Sequence, residues 1–277
     1  MEPLIIFCKS YSGDLDRFKV LLKSIATFNS ENIPLYVSVP KEDKQLFLDE
    51  TDLPKSSLIV DEEVISKTLE STWTTQQVVK ASVYNLGICD NYLMIDSDSY
   101  FIKQFKYNDF LYTPEIPYTV VHEQKDLWQY VAKKCYKDST FKHFHQYDHD
   151  GFKKMRGAIQ VLMNRPGRAL DFGPGPVIWN CAVWKDLESY LKILGLTLEK
   201  AICSIPSEFT WYGEHLLTSK QAIPIIPIEP PFKFYHHKEQ YIDAIADGVT
   251  TEILKENYLG IVMQSNWGAP LQYDHNN

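Results

Sequence analysis

The first 65 residues restrict the fold most, because strand-like and helix-like patterning alternate through them. Leu4 to Cys8 is an unbroken apolar run entering a polar turn, Lys9-Ser10-Tyr11-Ser12-Gly13-Asp14. Phe18, Leu21, Leu22 and Ile25 then recur at helical spacing and give one buried face. Leu35 to Val39 reads as a second strand closed by Pro40, Lys41 to Leu48 as a helix, and Ser57 to Val60 as a third strand stopping at Asp61-Glu62-Glu63. Strands joined through helices pair in parallel with right-handed crossovers. The expectation is an α/β protein with a parallel, doubly wound sheet flanked by helices.

A helix expected from Trp73 to Leu86, begun by Thr72 or Thr74 and ended by Gly87, leads to the apolar run Tyr92-Leu93-Met94-Ile95. That run stops at Asp96-Ser97-Asp98, and apolar character resumes at Tyr100, Phe101 and Ile102. Ligands of open α/β sheets bind beyond the carboxyl ends of the strands, where these two aspartates stand. Carboxylates so close repel unless a cation is near, and the hard cations Mn²⁺ and Mg²⁺ prefer oxygen ligands. Asp-x-Asp also caps helices and fills solvated turns, but a buried strand before it and apolar residues after it favour a metal carrying a phosphate. Lys80, Gln76 and Gln77 read first as a solvated helix face, since lysine usually lies exposed, and only second as partners of such an anion.

The later chain is less regular. Tyr118 to Val121 is an expected strand, and Glu123 to Met155 carries His143, His145 and His149 at a spacing that fits no zinc site, so structural or acceptor-loop roles are expected there. After the Phe172-Gly173-Pro174-Gly175-Pro176 loop, Val177 to Trp184 reads as a strand interrupted by Asn180, which is either tied to backbone or aimed at a ligand. Leu187 to Leu194 reads as a helix. A helix capped by Ser207 places Glu208 in its first turn and Glu214 and His215 farther along. Ile225 to Ile228 is a short strand, followed by Phe234-Tyr235-His236-His237-Lys238, an amphipathic stretch to Tyr258 and a loop at Ser265 to Ala269.

A chain of 277 residues suits one elaborated domain. Twenty-eight basic against 36 acidic residues give a net charge of −8, which argues against a nucleic-acid partner. Cys8, Cys89, Cys135, Cys181 and Cys203 are scattered without a CxxC and read as reduced, buried thiols. Met1-Glu2-Pro3 shows no basic leader and no run approaches a membrane span, so a cytoplasmic protein is expected, with peripheral contact at the inner face of a membrane left open.

In this order the motifs resemble nucleotide-sugar glycosyltransferases of the GT-A fold, in particular glycogenin and lipopolysaccharide galactosyltransferases. The resemblance rests on Ile5 to Tyr11, the helix bearing Lys80, the strand ending in Asp96-Ser97-Asp98, the Trp179-Asn180-Cys181-Ala182-Val183 stretch, the Glu208 to Leu217 helix and the late histidines. It spans about residue 4 to residue 240, and the chain is more closely similar still to bacterial DUF6492-type proteins. It implies a single α/β domain of the GT-A fold over 1–277, with a Rossmann-like, mixed, mostly parallel central sheet flanked by helices, a nucleotide-sugar and metal-binding half at 1–110 and an acceptor-binding half at 111–277.

The resemblance implies Mn²⁺ or Mg²⁺ held by Asp96, Asp98 and His236, with His237 the other choice for the histidine. Ser10, Tyr11 and Asp61 would face the nucleotide base, and Lys80 and Lys238 ribose or phosphate. Trp179, Asn180, Glu214 and His215 would contact the substrate sugar. An inverting enzyme needs a carboxylate base, Glu208 or Glu214, whereas a retaining one does not. The sequence departs from the retaining group at Tyr212-Gly213-Glu214-His215, and Trp179 and Cys181 replace the usual neighbours of the asparagine. The implied partners are a nucleoside-diphosphate sugar, with a UDP-sugar favoured, and a glycan or lipid-linked acceptor in surface polysaccharide synthesis. Two rivals are a haloacid-dehalogenase-like phosphatase with Asp96 as nucleophile and an inactive carbohydrate-binding GT-A protein.

Overall fold

The structure, a computed structural model, describes residues 1–65, 69, 71–123, 153–219 and 223–274. His143, His145, His149 and Cys135 lie outside the described residues. In chain order the elements are β1 (Glu2–Lys9), α1 (Leu15–Phe28), β2 (Leu35–Val39), α2 (Lys44–Glu50), β3 (Leu58–Val60), the single turn α3 (Asp61–Val64), α4 (Thr72–Ala81), β4 (Cys89–Asp96) and β5 (Ser99–Phe101). Then come β6 (Leu111–Thr113), β7 (Ile116–Val120), α5 (153–162), β8 (Val177–Asn180), α6 (Cys181–Ile193), α7 (Leu198–Ser204) and α8 (Glu208–Thr218). The rest is β9 (Ile226–Ile228), β10 (Phe232–Tyr235), α9 (Lys238–Ala246), α10 (Thr251–Asn257) and β11 (Gly260–Met263).

The central sheet has the order β3-β2-β1-β4-β8. β1 to β4 are mutually parallel and β8 is antiparallel to β4, as expected of a mixed, mostly parallel sheet. The chain winds outward from β1 through β2 to β3, then returns to place β4 on the other side of β1. The order therefore reverses between β1 and β4, where the strands splay helices to opposite faces and open a crevice. Register sets Lys9, the last residue of β1, beside Asp96, the last of β4. Two smaller sheets, β10-β11-β5 and β6-β7-β9, adjoin the central one. β4 and β5 belong to different sheets, so the Asp96-Ser97-Asp98 turn joins them.

The alternation of side chains along each strand divides the core in two. Ile5, Phe7, Tyr92, Met94, Val177 and Trp179 face α4, α6, α7 and α8, whereas Leu4, Ile6, Cys8, Leu93, Ile95 and Ile178 face α1 and α2. All of these side chains are buried, each contributing roughly 1.5–3 kcal/mol of transfer free energy.

Three expectations change. The helix after residue 72 is capped by the Ser71 hydroxyl, which accepts from the Thr74 amide at 3.2 Å, and it breaks at Ser82 into a 3-10 turn, Val83–Leu86. The stretch from Val177 to Trp184 is not one strand. It turns at Asn180 from β8 into α6, because the Asn180 side-chain oxygen accepts the Ala182 amide at 2.8 Å and that of Val183 at 3.4 Å. Finally, Cys203 is exposed, while Cys8, Cys89 and Cys181 are buried free thiols.

Candidate functional site

An open cleft of about 2340 Å³ lies over the carboxyl ends of β1, β3 and β4. Lys9, Ser10, Tyr11, Asp14, Asp61, Lys80, Asp96, Asp98, Glu208 and His236 all line it. The sequence separates Lys80 from Asp96 and Glu208, but α4 and α8 both pack on the sheet face next to β1 and β4 and bring the three together.

The Lys80 ammonium is buried and lies 2.6 Å from an Asp96 oxygen. Tyr92 on β4 donates its hydroxyl to the Lys80 carbonyl at 2.8 Å, fixing the last turn of α4 to the strand that carries the aspartates. Burial pulls the Lys80 pKa down, but the carboxylates of Asp96, Glu208 and Asp98 outweigh it, so Lys80 stays charged. Glu208 is buried, and desolvation lifts its pKa to about 7 against the attraction of Lys80, with Asp96 adding repulsion. Asp98 is likewise raised to about 7, first by burial and then by the Asp96 charge, with Asp14 adding to it.

The turn itself is held tightly. The Asp98 carbonyl accepts the Met263 amide at 2.9 Å, one Asp98 carboxylate oxygen accepts the Ser265 amide at 3.0 Å, and the Ser97 hydroxyl donates to Asp14 at 3.1 Å. Burial raises the Asp14 carboxyl, which Ser97 and Arg17 partly offset. Asp96, Asp98, Asp14 and Glu208 thus share one corner with Lys80, a local surplus of carboxylate. A hard divalent cation fits such a donor set. Among the described residues no three His, Cys, Asp or Glu side chains are close enough to hold a metal unaided, so further ligands would come from substrate oxygens and water.

His236 is not gathered with Asp96 and Asp98 into such a three-residue set. His236 lines the cleft at the end of β10, two strands from β5 across β11 and therefore roughly 9–10 Å away in backbone. Its ring contacts Phe234 and His237, with centroids 5.4 and 4.7 Å apart. His237 instead precedes α9, where its amide donates to Gln240 at 3.0 Å. Lys238, the first residue of α9, is exposed and does not line the cleft, because the helix start turns it outward.

Four further residues stand away from the cleft. Glu214 is buried in a two-pronged ion pair with Arg165, one contact at 2.7 Å, because it faces the segment that follows α5 rather than the sheet end. His215 is tied to Asp186 at 2.8 Å, and burial lowers its pKa. Trp179 is core, packed edge-on against Tyr92 and Trp184. Asn180 takes the backbone alternative: besides capping α6, it donates to Asn91 at 2.8 Å, and its amide donates to the Tyr212 hydroxyl at 2.9 Å.

On the β3 side of Lys9, buried Asp61 accepts from Ser38 at 2.6 Å and pairs with Lys9 at 3.2 Å. Burial still raises the Asp61 pKa. Ser10 is buried beside this pair and Tyr11 half exposed above it. Lys9 and Asp14 had no expected role. Their signal was position, since Lys9 ends the first strand as Asp96 ends the fourth. A second unanticipated cluster, also lining the cleft, joins Asp171 to Arg156 at 2.5 Å, and His122 to the Gly173 carbonyl at 2.5 Å.

Among solved structures, the apo form of mouse xyloside xylosyltransferase 1 aligns at 9% identity and TM-score 0.49, over 96% of this chain and 99% of that one. The apo WbbM bifunctional glycosyltransferase aligns at 12% identity and TM-score 0.48, over 95% of this chain and 46% of that one. Both likenesses are too remote to bear on function. The sequence has no match among curated proteins. Residues 3–245 match a profile described as a family of unknown function, DUF6492, and the chain belongs to that family.

Proposed function

We propose that this protein is a metal-dependent glycosyltransferase that moves a sugar from a nucleoside-diphosphate sugar, a UDP-sugar favoured, to a glycan or lipid-linked acceptor. The carrying observation is the convergence of Lys80, Asp96, Asp98 and Glu208 at the switch point of the sheet, inside a cleft large enough for two substrates. Asp96 and Asp98 would hold Mn²⁺ or Mg²⁺, which supplies Lewis-acid stabilisation of a departing diphosphate. Lys80 stays charged in a buried place and adds a fixed positive charge facing the same phosphates. The base would lie over Ser10 and Tyr11, near Asp61.

Glu208, rather than Glu214, is the acid–base group in this reading. Its pKa of about 7 suits a group that takes a proton from an acceptor hydroxyl near neutral pH, and it lines the cleft. Both oxygens of Glu214 are engaged by Arg165. The phosphatase reading would require Asp96 as a nucleophile, yet one of its oxygens is held by Lys80 at 2.6 Å.

Titration calorimetry with UDP, GDP, CDP and their sugars, with and without Mn²⁺, tests the proposal. Metal-dependent binding of one nucleotide, lost in Asp98→Ala, is the expected result. Absence of metal-dependent heat from every nucleotide sinks it. So does hydrolysis of a chromogenic phosphate abolished by Asp96→Asn.

A further inference from the structure

The site leaves unused an outward face made by α5 and α6. Ile159 of α5 and Met163, just past its end, are buried in the core cluster that also holds Leu187 and Leu191 of α6. The Tyr190 hydroxyl of α6 reaches the Leu162 carbonyl at 3.5 Å, so the carboxyl ends of the two helices lie side by side. At that junction Val161 is 78%, Leu162 44%, Ile193 84% and Leu194 47% exposed. Four large aliphatic side chains facing water in one place make a surface that gains by being covered.

The charge on the α5 side is one-sided. From residue 153 to residue 168 the chain carries Lys153, Lys154, Arg156, Arg165 and Arg168 and no acidic residue, in a protein of net charge −8. Arg156, Arg165 and Arg168 pair with Asp171, Glu214 and Glu123. Lys153 and Lys154 are exposed one and two turns before Ala158, Val161 and Leu162, and residues 154, 158, 161 and 162 share one helical face. On α6, Lys185 is exposed, and Lys192, next to Ile193, pairs with Glu188 at 3.2 Å. An apolar tip with lysines behind it matches the layering of a bilayer surface, with acyl chains inside and anionic headgroups outside. A second copy of the chain fits less well, because twofold pairing would oppose the two cationic segments.

We propose that the Val161-Leu162 and Ile193-Leu194 patch docks this protein on an anionic lipid bilayer. Arg156, near the start of α5, also lines the cleft, so docking would set the cleft wall close to the headgroup plane. The contact is peripheral, since among the described residues no helix is long and apolar enough to cross a membrane.

Co-sedimentation of the full chain with phosphatidylcholine vesicles, with and without phosphatidylglycerol, tests this at low and high salt. Binding only to the anionic vesicles is expected, weakened by salt. Lys153→Glu/Lys154→Glu and, separately, Ile193→Ser/Leu194→Ser should each lower partitioning about tenfold or more. Both double variants alter exposed side chains, so thermal melting should show them folded. No binding of the intact chain to anionic vesicles overturns the proposal, as does full retention of binding in both folded variants. A dimer in sedimentation velocity, dissolved by the same variants, would reassign the patch to a second copy. No nucleotide enters these readouts, so they stand apart from the glycosyltransferase reading.

Discussion

Glu208 and Glu214 share a helix and differ in what surrounds them. Six positions on a 3.6-residue turn set them about 120° apart, so one faces the cleft and the other the segment that follows α5. Glu208 keeps a pKa of about 7 beside Lys80, whereas Glu214 is locked to Arg165. Glu208→Gln should therefore fold normally and lose turnover by about 10²–10⁴-fold. Glu214→Gln should unfold more readily, by roughly 3 kcal/mol for an uncompensated buried charge, while each folded molecule keeps its nucleotide affinity. Thermal melts and turnover assays on the two variants separate these roles, and a reversed pattern would move the acid–base assignment to Glu214. From sequence the two carboxylates were equivalent candidates. The difference lies in Arg165, 49 residues upstream, which no local pattern connects to Glu214.

Among elements, the β8 to α6 junction shows where pattern reading fails. Val177 to Trp184 is apolar on both sides of one asparagine, as a doubly buried strand would be. A helix buried on most of one side gives the same short run, and the deciding fact is the Asn180 carboxamide accepting two amides ahead of it. Asn180→Ala removes this cap and leaves the buried Asn91 side-chain oxygen without its donor, so it should cost about 2 kcal/mol or more and lower Tm by several degrees. Nucleotide binding should persist, since Asn180 does not line the cleft. Gly213 makes a similar point about α8. Alanine is the better helix former by about 1 kcal/mol, but a Cβ here would sit 2.0 Å from the Phe172 ring. Sterics should win, so Gly213→Ala is expected to lower Tm, and a rise would show that Phe172 can yield. By contrast, β2 was legible to the residue, from Leu35 to Val39, because Pro40 closes it locally. β11 went unread, since Gly260 to Met263 owes its strand form to pairing with β10 and β5.

For the whole molecule, the cleft stores a pH dependence. Burial raises the pKa values of Asp14, Asp61, Asp98, Asp171 and Glu208, with Asp98 and Glu208 reaching about 7. Unfolded carboxyls titrate near about 4, so between about 4 and 7 the native state binds more protons than the unfolded one. Stability then falls as pH rises, by at most about 1.4 kcal/mol per pH unit for each such group. His215, lowered by burial, works in the opposite sense below about 6.5 and is outnumbered. The ligand-free Tm should rise from pH 7.5 to 5.5, and Asp98→Asn should both raise Tm at pH 7.5 and flatten the slope. With Mn²⁺ and the cognate nucleotide the slope should shrink or reverse, because binding favours the ionised Asp98. A flat ligand-free profile would contradict the burial of these groups. The alternating strands and the Asp96-Ser97-Asp98 turn were readable from the chain itself. The shared corner that perturbs these acids was not, because it forms only when α4 and α8 fold onto one sheet face. The turn at that corner is pinned from both sides, by the pairing of Asp96 with Lys9 and by the amides of Met263 and Ser265 on Asp98. Such a joint has little backbone freedom left to surrender. The Met263 amide that closes it should exchange with deuterated solvent as slowly as those of β1 and β4, and nearly as slowly before a ligand arrives as after.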